Sequence, residues 1–185
     1  MTHGGVQDDI LNRIWQALRD ATSQGTGFTL GFLATIGVGG GPRARAVILR
    51  QFEAAPARIY FATNVHSDKV HEIQQHPQVA LTLQDGSVQL RIQGKAGVTD
   101  DAERVAAWQT LAPHSRKLYA TAGISGEAMD EAAELADDPG TAFQRFAWVR
   151  IDLEHFDWLE LAADAPQRWQ FDLEVDGWAG KRVIP

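Results

Sequence analysis

Between Arg43 and Gly94 the chain gathers the cations and hydroxyls that a phosphate group needs. Arg45 and Arg50 bracket the strand-forming run AVIL, and Thr63, Ser67 and Lys69 fall where the next strand run ends and a short helix begins. The first turn of a helix leaves backbone N–H groups free and carries the positive end of the dipole, so an anion is favoured there before any side chain contributes. Together these groups suit a phosphomonoester dianion. Each also has a plain structural reading: Arg45 as a surface strand residue, Ser67 as an N-cap, Lys69 as a solvated helix residue.

Other motifs carry less. GVGGGP at 37–42 invites comparison with a nucleotide loop, but such loops run into a helix, whereas here a β-rich run follows, so a hairpin turn is expected. HEIQQH spans His71 to His76. At about 100° per residue an i,i+5 pair lies about 140° apart on a helix, so the two imidazoles cannot share a metal. With no cysteine in the 185 residues, disulfides, thiolate metal sites and cysteine nucleophiles are excluded. No serine sits in a G-x-S-x-G elbow, most of the tryptophans are expected in the core, and the acidic run from Asp130 to Asp138 reads as a solvated helix face.

The elements that must position these residues follow from periodicity. Ile10, Leu11, Ile14, Trp15 and Leu18 form one helical stripe, which predicts an amphipathic helix within residues 1–24. FTLGFLATI, RARAVILRQF and RIYFAT read as antiparallel strands, followed by a short helix from Ser67 to Gln75 that ends before Pro77. Asp85-Gly86 joins VALTLQ to SVQLRIQGKAGV, a strong hairpin signal that completes a strand region over 28–98. Residues 100–140 form a helical segment, with helices from Asp100 or Asp101 to Leu111 and over 126–137 and an irregular stretch between them. RFAWVRIDL, FDWLEL and RWQFDL return to strands over 144–185. The order predicts a single domain over 1–185 that is mainly β with peripheral helices, an antiparallel barrel rather than a parallel sheet. A net charge of −7 argues against nucleic acid as a partner. No run has the length or apolarity of a membrane span or a secretory leader, so a cytoplasmic location is expected.

RAVILR at 45–50, FATN at 61–64, SDK at 67–69 and QLRIQG at 89–94 resemble, in order and spacing, the flavin mononucleotide (FMN) signature of the pyridoxamine 5'-phosphate oxidase family. FDWLEL, with Arg168 ten residues after Trp158, is similar to that family's closing segment. The resemblance covers roughly Phe28 to Pro185. It implies a split β-barrel of the FMN-binding type, FMN as cofactor, and a homodimer with the cofactor at the subunit interface. By the same resemblance Arg45 and Lys69 would hold the phosphate with Thr63 and Ser67, and Ser125 would approach it. The strand of Arg45, Ala46, Val47, Ile48 and Arg50 would lie beside the flavin ring. Gln89 would meet the pyrimidine edge, and Trp158 and Arg168 would close the site from the other subunit.

The chain also departs from the family pattern. Asp68 and Ala62 stand where the family has an arginine and a tyrosine, and Arg50 replaces a lysine. Asp164 and Pro166 occupy the positions of the R-x-H clamp for pyridoxal phosphate, and Trp108 and Ala112 those of a tyrosine and an arginine. The resemblance therefore implies a retained cofactor half and a lost vitamin-specific half: an FMN-dependent oxidoreductase acting on another small molecule, with no side chain required as catalytic acid or base. The alternative is a non-catalytic flavin- or haem-binding protein, for which His66, His71, His76, His114 and His155 would be the axial candidates.

Overall fold

The computed structural model describes residues 3–121, 123, 128–129, 137–162 and 165–185. A long helix, α1 (His3–Ser23), leads into β1 (Leu30–Ile36), β2 (Pro42–Ala54) and β3 (Ala57–Asn64). Helix α2 (Asp68–Gln75) precedes the hairpin of β4 (Gln78–Asp85) and β5 (Val88–Val98). Among the described residues α3 (Asp101–Thr110), α4 (Pro113–Lys117) and α5 (Ala142–Arg145) follow. The chain ends in β6 (Phe146–Glu160), β7 (Gln167–Glu174) and β8 (Gly177–Val183).

All strand pairings are antiparallel, and the sheet runs β3-β2-β1-β4-β5-β6-β7-β8. A further pairing of β3 with β6 closes β1 to β6 into a six-stranded barrel, which leaves β7 and β8 as an arm. This is the split-barrel class that the sequence predicts.

Strand β6 makes both halves possible. Its first part pairs with β3 and its last part with β7, while β5 runs along its other edge. Where Gln93 faces His155 and Gly94 faces Leu153, Glu154 is left over as a bulge, which bends the strand from barrel to arm. Glycine is required opposite this point, because a methyl group at Gly94 would collide with the carbonyl oxygen of Asp152.

The inward side chains Leu33, Leu49, Ile59, Leu81, Leu83, Leu90, Ile92, Ile151 and Phe156 fill the barrel. Ile14 and Leu18 of α1 are fully buried against them, as the helical stripe requires. A second cluster on the outside of β3 and β6 joins Tyr60, Phe146 and Trp148 to Ala107 of α3 and to Tyr119.

Several boundaries differ from expectation. Gly27–Thr29 is a 3₁₀ turn, so the first strand starts at Leu30. RFAWVRIDL and FDWLEL are one continuous strand. Part of the stretch read as irregular is α4, started by Pro113 at its first turn. The helix expected over 126–137 falls mainly outside the described residues. Helix α3 has the expected start, with the carboxylate of Asp100 accepting from the Glu103 N–H at 2.9 Å.

The β4–β5 hairpin forms, but its turn is centred on Gly86 and Ser87, since Asp85 pairs with Val88. Only Gly86 takes a positive φ, +56°, which fits glycine at the first central position of a two-residue turn. Gly86→Ala is accordingly expected to cost about 1 kcal/mol, read as a lower midpoint in thermal unfolding.

Candidate functional site

Strand β2 sorts its residues by parity. Val47 and Leu49 face the core and Arg45 shares their side, whereas Ala46, Ile48 and Arg50 are exposed on the outer face. Arg45 emerges beneath α2 and meets a closed polar triangle. Its guanidinium donates to Thr35 Oγ1 and, at 2.6 Å, to Glu72 Oε2, while the Thr35 hydroxyl donates to the same carboxylate oxygen at 2.6 Å. Glu72 is 2% exposed, and Arg43 approaches its other oxygen at 3.7 Å. Burial pushes the Glu72 carboxyl up, but the hydrogen bonds from Thr35 and Arg45 and the nearby guanidinium charges outweigh it, leaving it below the usual carboxylate range.

Lys69 sits in the first turn of α2 and donates to Thr63 Oγ1 at 3.0 Å, and that hydroxyl lies 3.3 Å from Ser67 Oγ. Ser67 donates to the Asn64 carbonyl at 2.7 Å and makes no capping bond to α2. Burial pushes the Lys69 ammonium down, and the neighbouring Arg45 charge lowers it further. Lys69 and two hydroxyls lie together at the start of α2, the end of a helix that favours an anion. Thr63, Ser67 and Lys69 are thus brought together, while Arg45 bonds Thr35 and Glu72.

Arg50 lies elsewhere. It is the bulged residue where β2 slips against β3, and it lines a cleft of about 360 Å³ with Thr110, Ala112, His114, Ser115 and Trp148. Trp108 is not among the cleft residues; it packs against Tyr119, Phe143 and Phe146. Burial pushes the Tyr119 phenol up to about 12, with Arg50 opposing the shift. Ala62 belongs to the same outer cluster, and Asp68 is exposed, 3.8 Å from Arg43.

Gln89, Leu159 and Arg168 form one cross-strand row, which places Gln89 and Arg168 on the same outer face. Beside them is a buried acid, Asp157. Its carboxylate accepts from Arg168 Nε at 3.0 Å and Nη2 at 2.8 Å, from Arg91 at 2.7 Å and from Gln170 at 3.2 Å. Burial pushes Asp157 up, but the bonds from Arg168 and Gln170 and the charge of Arg91 hold it below the usual range.

Trp158 differs from its expected placement. It is 3% exposed and faces inward, packed edge-on to Phe28 with the Arg13 guanidinium 5.3 Å from its ring centre. Asp157, not Trp158, shares the outer face with Arg168. Ser125 and Asp164 lie outside the described residues. Of the histidines, His66, His71, His76 and His114 are exposed, and His155 Nδ1 pairs with Asp172 at 2.6 Å.

Glu72, Thr35 and Asp157 did not stand out as site residues in the sequence. Glu72 had one usable signal, since it lies between Val70 and Ile73, both buried, on the inner side of α2.

A closed antiparallel barrel with an extra strand arm defines a split-barrel protein. Residues 18–157 match the family model for pyridoxamine 5'-phosphate oxidase, and the chain belongs to that family. It is 28% identical over 171 residues to pyridoxine/pyridoxamine 5'-phosphate oxidase 2 of Arabidopsis thaliana, covering 83% of this chain and 85% of that one. The fold is similar to a pyridoxamine 5'-phosphate oxidase-related, FMN-binding protein of Nostoc punctiforme, with a TM-score of 0.76, 23% identity, and 94% and 96% of the two chains covered. It is also similar to PhzG of Burkholderia lata, with a TM-score of 0.74, 16% identity, and 99% and 95% covered. Among the described residues no helix is long and apolar enough to cross a membrane.

Proposed function

We propose that this protein is an FMN-dependent oxidoreductase, built as a homodimer, whose substrate is a small molecule other than pyridoxine phosphate. The observation that carries the reading is Lys69 bonded to Thr63 beside Ser67 at the uncapped α2 start. These residues fit a phosphate: Lys69 is partly desolvated next to another cation, and an anion relieves that repulsion. FMN, when bound, supplies the electron or hydride chemistry; the protein supplies position and charge.

The dimer reading is supported by the exposed surface of the sheet. Arg168 on β7 lies three strands from Arg45 on β2 by way of the β3–β6 pairing that closes the barrel. In this dimer Gln89 and Arg168 serve the cofactor of the partner subunit, as the family resemblance implies for Arg168. The outer face of β1 and β2 exposes Leu30, Phe32, Ile36 and Ile48 in paired register, an apolar strip suited to a second copy of the chain. A guanidinium at the flavin's polar edge stabilises the negative charge that develops there on reduction. The substitutions at Ala112 and Pro166 remove groups that would hold a pyridoxal phosphate, which supports a different substrate.

Titration of cofactor-free protein with FMN tests the reading, with flavin fluorescence and sedimentation followed together. Saturable quenching at about one FMN per subunit of a dimer is expected. Absence of binding, or a monomer that binds FMN fully, would overturn the cofactor or the dimer part respectively.

A further inference from the structure

The carboxylate of Glu72 occupies an unusual place for a phosphate site. It is buried, it bonds the guanidinium that would meet the phosphate, and the Thr35 hydroxyl donates to the same carboxylate oxygen. Around the α2 start stand three cations, Arg43, Arg45 and Lys69, and two acids, Asp68 and Glu72. Asp68 is exposed and screened by water, but Glu72 is not. A phosphate dianion approaching Arg45 therefore meets a fixed negative charge directly behind the guanidinium.

We propose that Glu72 is a specificity-determining residue that weakens the preference of this site for phosphorylated over unphosphorylated flavin. This rests on the flavin reading above. The carboxylate orients Arg45, so the cation is rigid, but it also cancels much of the field that the phosphate would feel. Binding energy then shifts toward the ring and the outer sheet face, and the site accepts riboflavin with a smaller loss than three unopposed cations would impose.

The test compares FMN with riboflavin in the full-length protein. Both dissociation constants are measured by flavin fluorescence for the native chain and for Glu72→Gln, which can still accept from Arg45 and Thr35. The riboflavin-to-FMN ratio is expected to rise about tenfold in Glu72→Gln at low salt, with riboflavin affinity nearly unchanged, and to fall back as salt is added. An unchanged or lower ratio overturns the proposal. Thr35→Val separates charge from geometry: it loosens the triangle but keeps both charges, so its ratio should stay within about twofold of native. A rise in Thr35→Val equal to that in Glu72→Gln would assign the effect to geometry and overturn the charge account.

If Glu72→Gln does not fold, Glu72→Asp, which keeps the carboxylate but draws it back from the guanidinium by one methylene, replaces it. A smaller shift in the same direction is expected, and no shift or an opposite one counts against the proposal. Failure of the native protein to bind either flavin would instead refute the cofactor reading.

Discussion

Arg45→Ala is expected to lower stability by about 3 kcal/mol, and Arg45→Ala with Glu72→Gln to recover most of that loss. The reason is the side chain left behind. Glu72 is almost fully buried, and Arg45 supplies its short charged hydrogen bond; without it a carboxylate remains in the protein interior with the Thr35 hydroxyl and a more distant Arg43. Neutralising the acid removes that cost even though the guanidinium is still missing.

The pH dependence carries the opposite sign in the two proteins. In the native chain Glu72 titrates below its unfolded value of about 4.3, so its contribution is complete above that pH and is lost as pH falls through the lower folded value. In Arg45→Ala, burial prevails and the carboxyl moves up, so the penalty is largest at neutral pH and shrinks as acid protonates it. Urea unfolding at several pH values measures both effects. Equal instability of the single and double variants at pH 7 would mean that the cost lies in lost packing of the arginine stem.

Legibility in the sequence divided along local and non-local lines. The cluster of Thr63, Ser67 and Lys69 was legible because they are neighbours along one strand exit and one helix turn, where spacing alone fixes proximity. The hairpin at Gly86 was legible for the same reason, with only its centre displaced by one residue. Glu72 was hidden because a short helix with many polar residues does not announce which polar side chain turns inward. Trp158 was misplaced by a single residue of register. In the first part of β6 the inward residues are Val149, Ile151 and Leu153; beyond the bulge at Glu154 they are Phe156 and Trp158. One extra residue reverses the parity of everything after it, and nothing local to FDWLEL records that reversal.

The same reversal gives the outer face its second charged centre and leads to the other large expected effect. Asp157→Ala should cost about 2–3 kcal/mol and weaken FMN binding several-fold without touching the phosphate site. Asp157 accepts hydrogen bonds from three side chains on two neighbouring strands, so its removal leaves Arg91 and Arg168 facing one another with no acid between them. Arg168 then loses the bidentate bond that fixes its plane, and a guanidinium that samples many orientations stabilises charge on a reduced flavin less well.

Asp157→Asn keeps the shape but replaces one acceptor oxygen with a donor, so it should recover little. Asp157 titrates below its ordinary range, and its contribution is present above the unfolded value near 3.9 and lost as pH falls through the folded one. The native protein should therefore approach the stability of Asp157→Ala only in strong acid. Chemical unfolding across pH tests the structural half, and the reduction potential of bound FMN tests the other. A potential that stays at the native value in Asp157→Ala, while stability falls, would confine Asp157 to the fold and remove Arg168 from the flavin's polar edge.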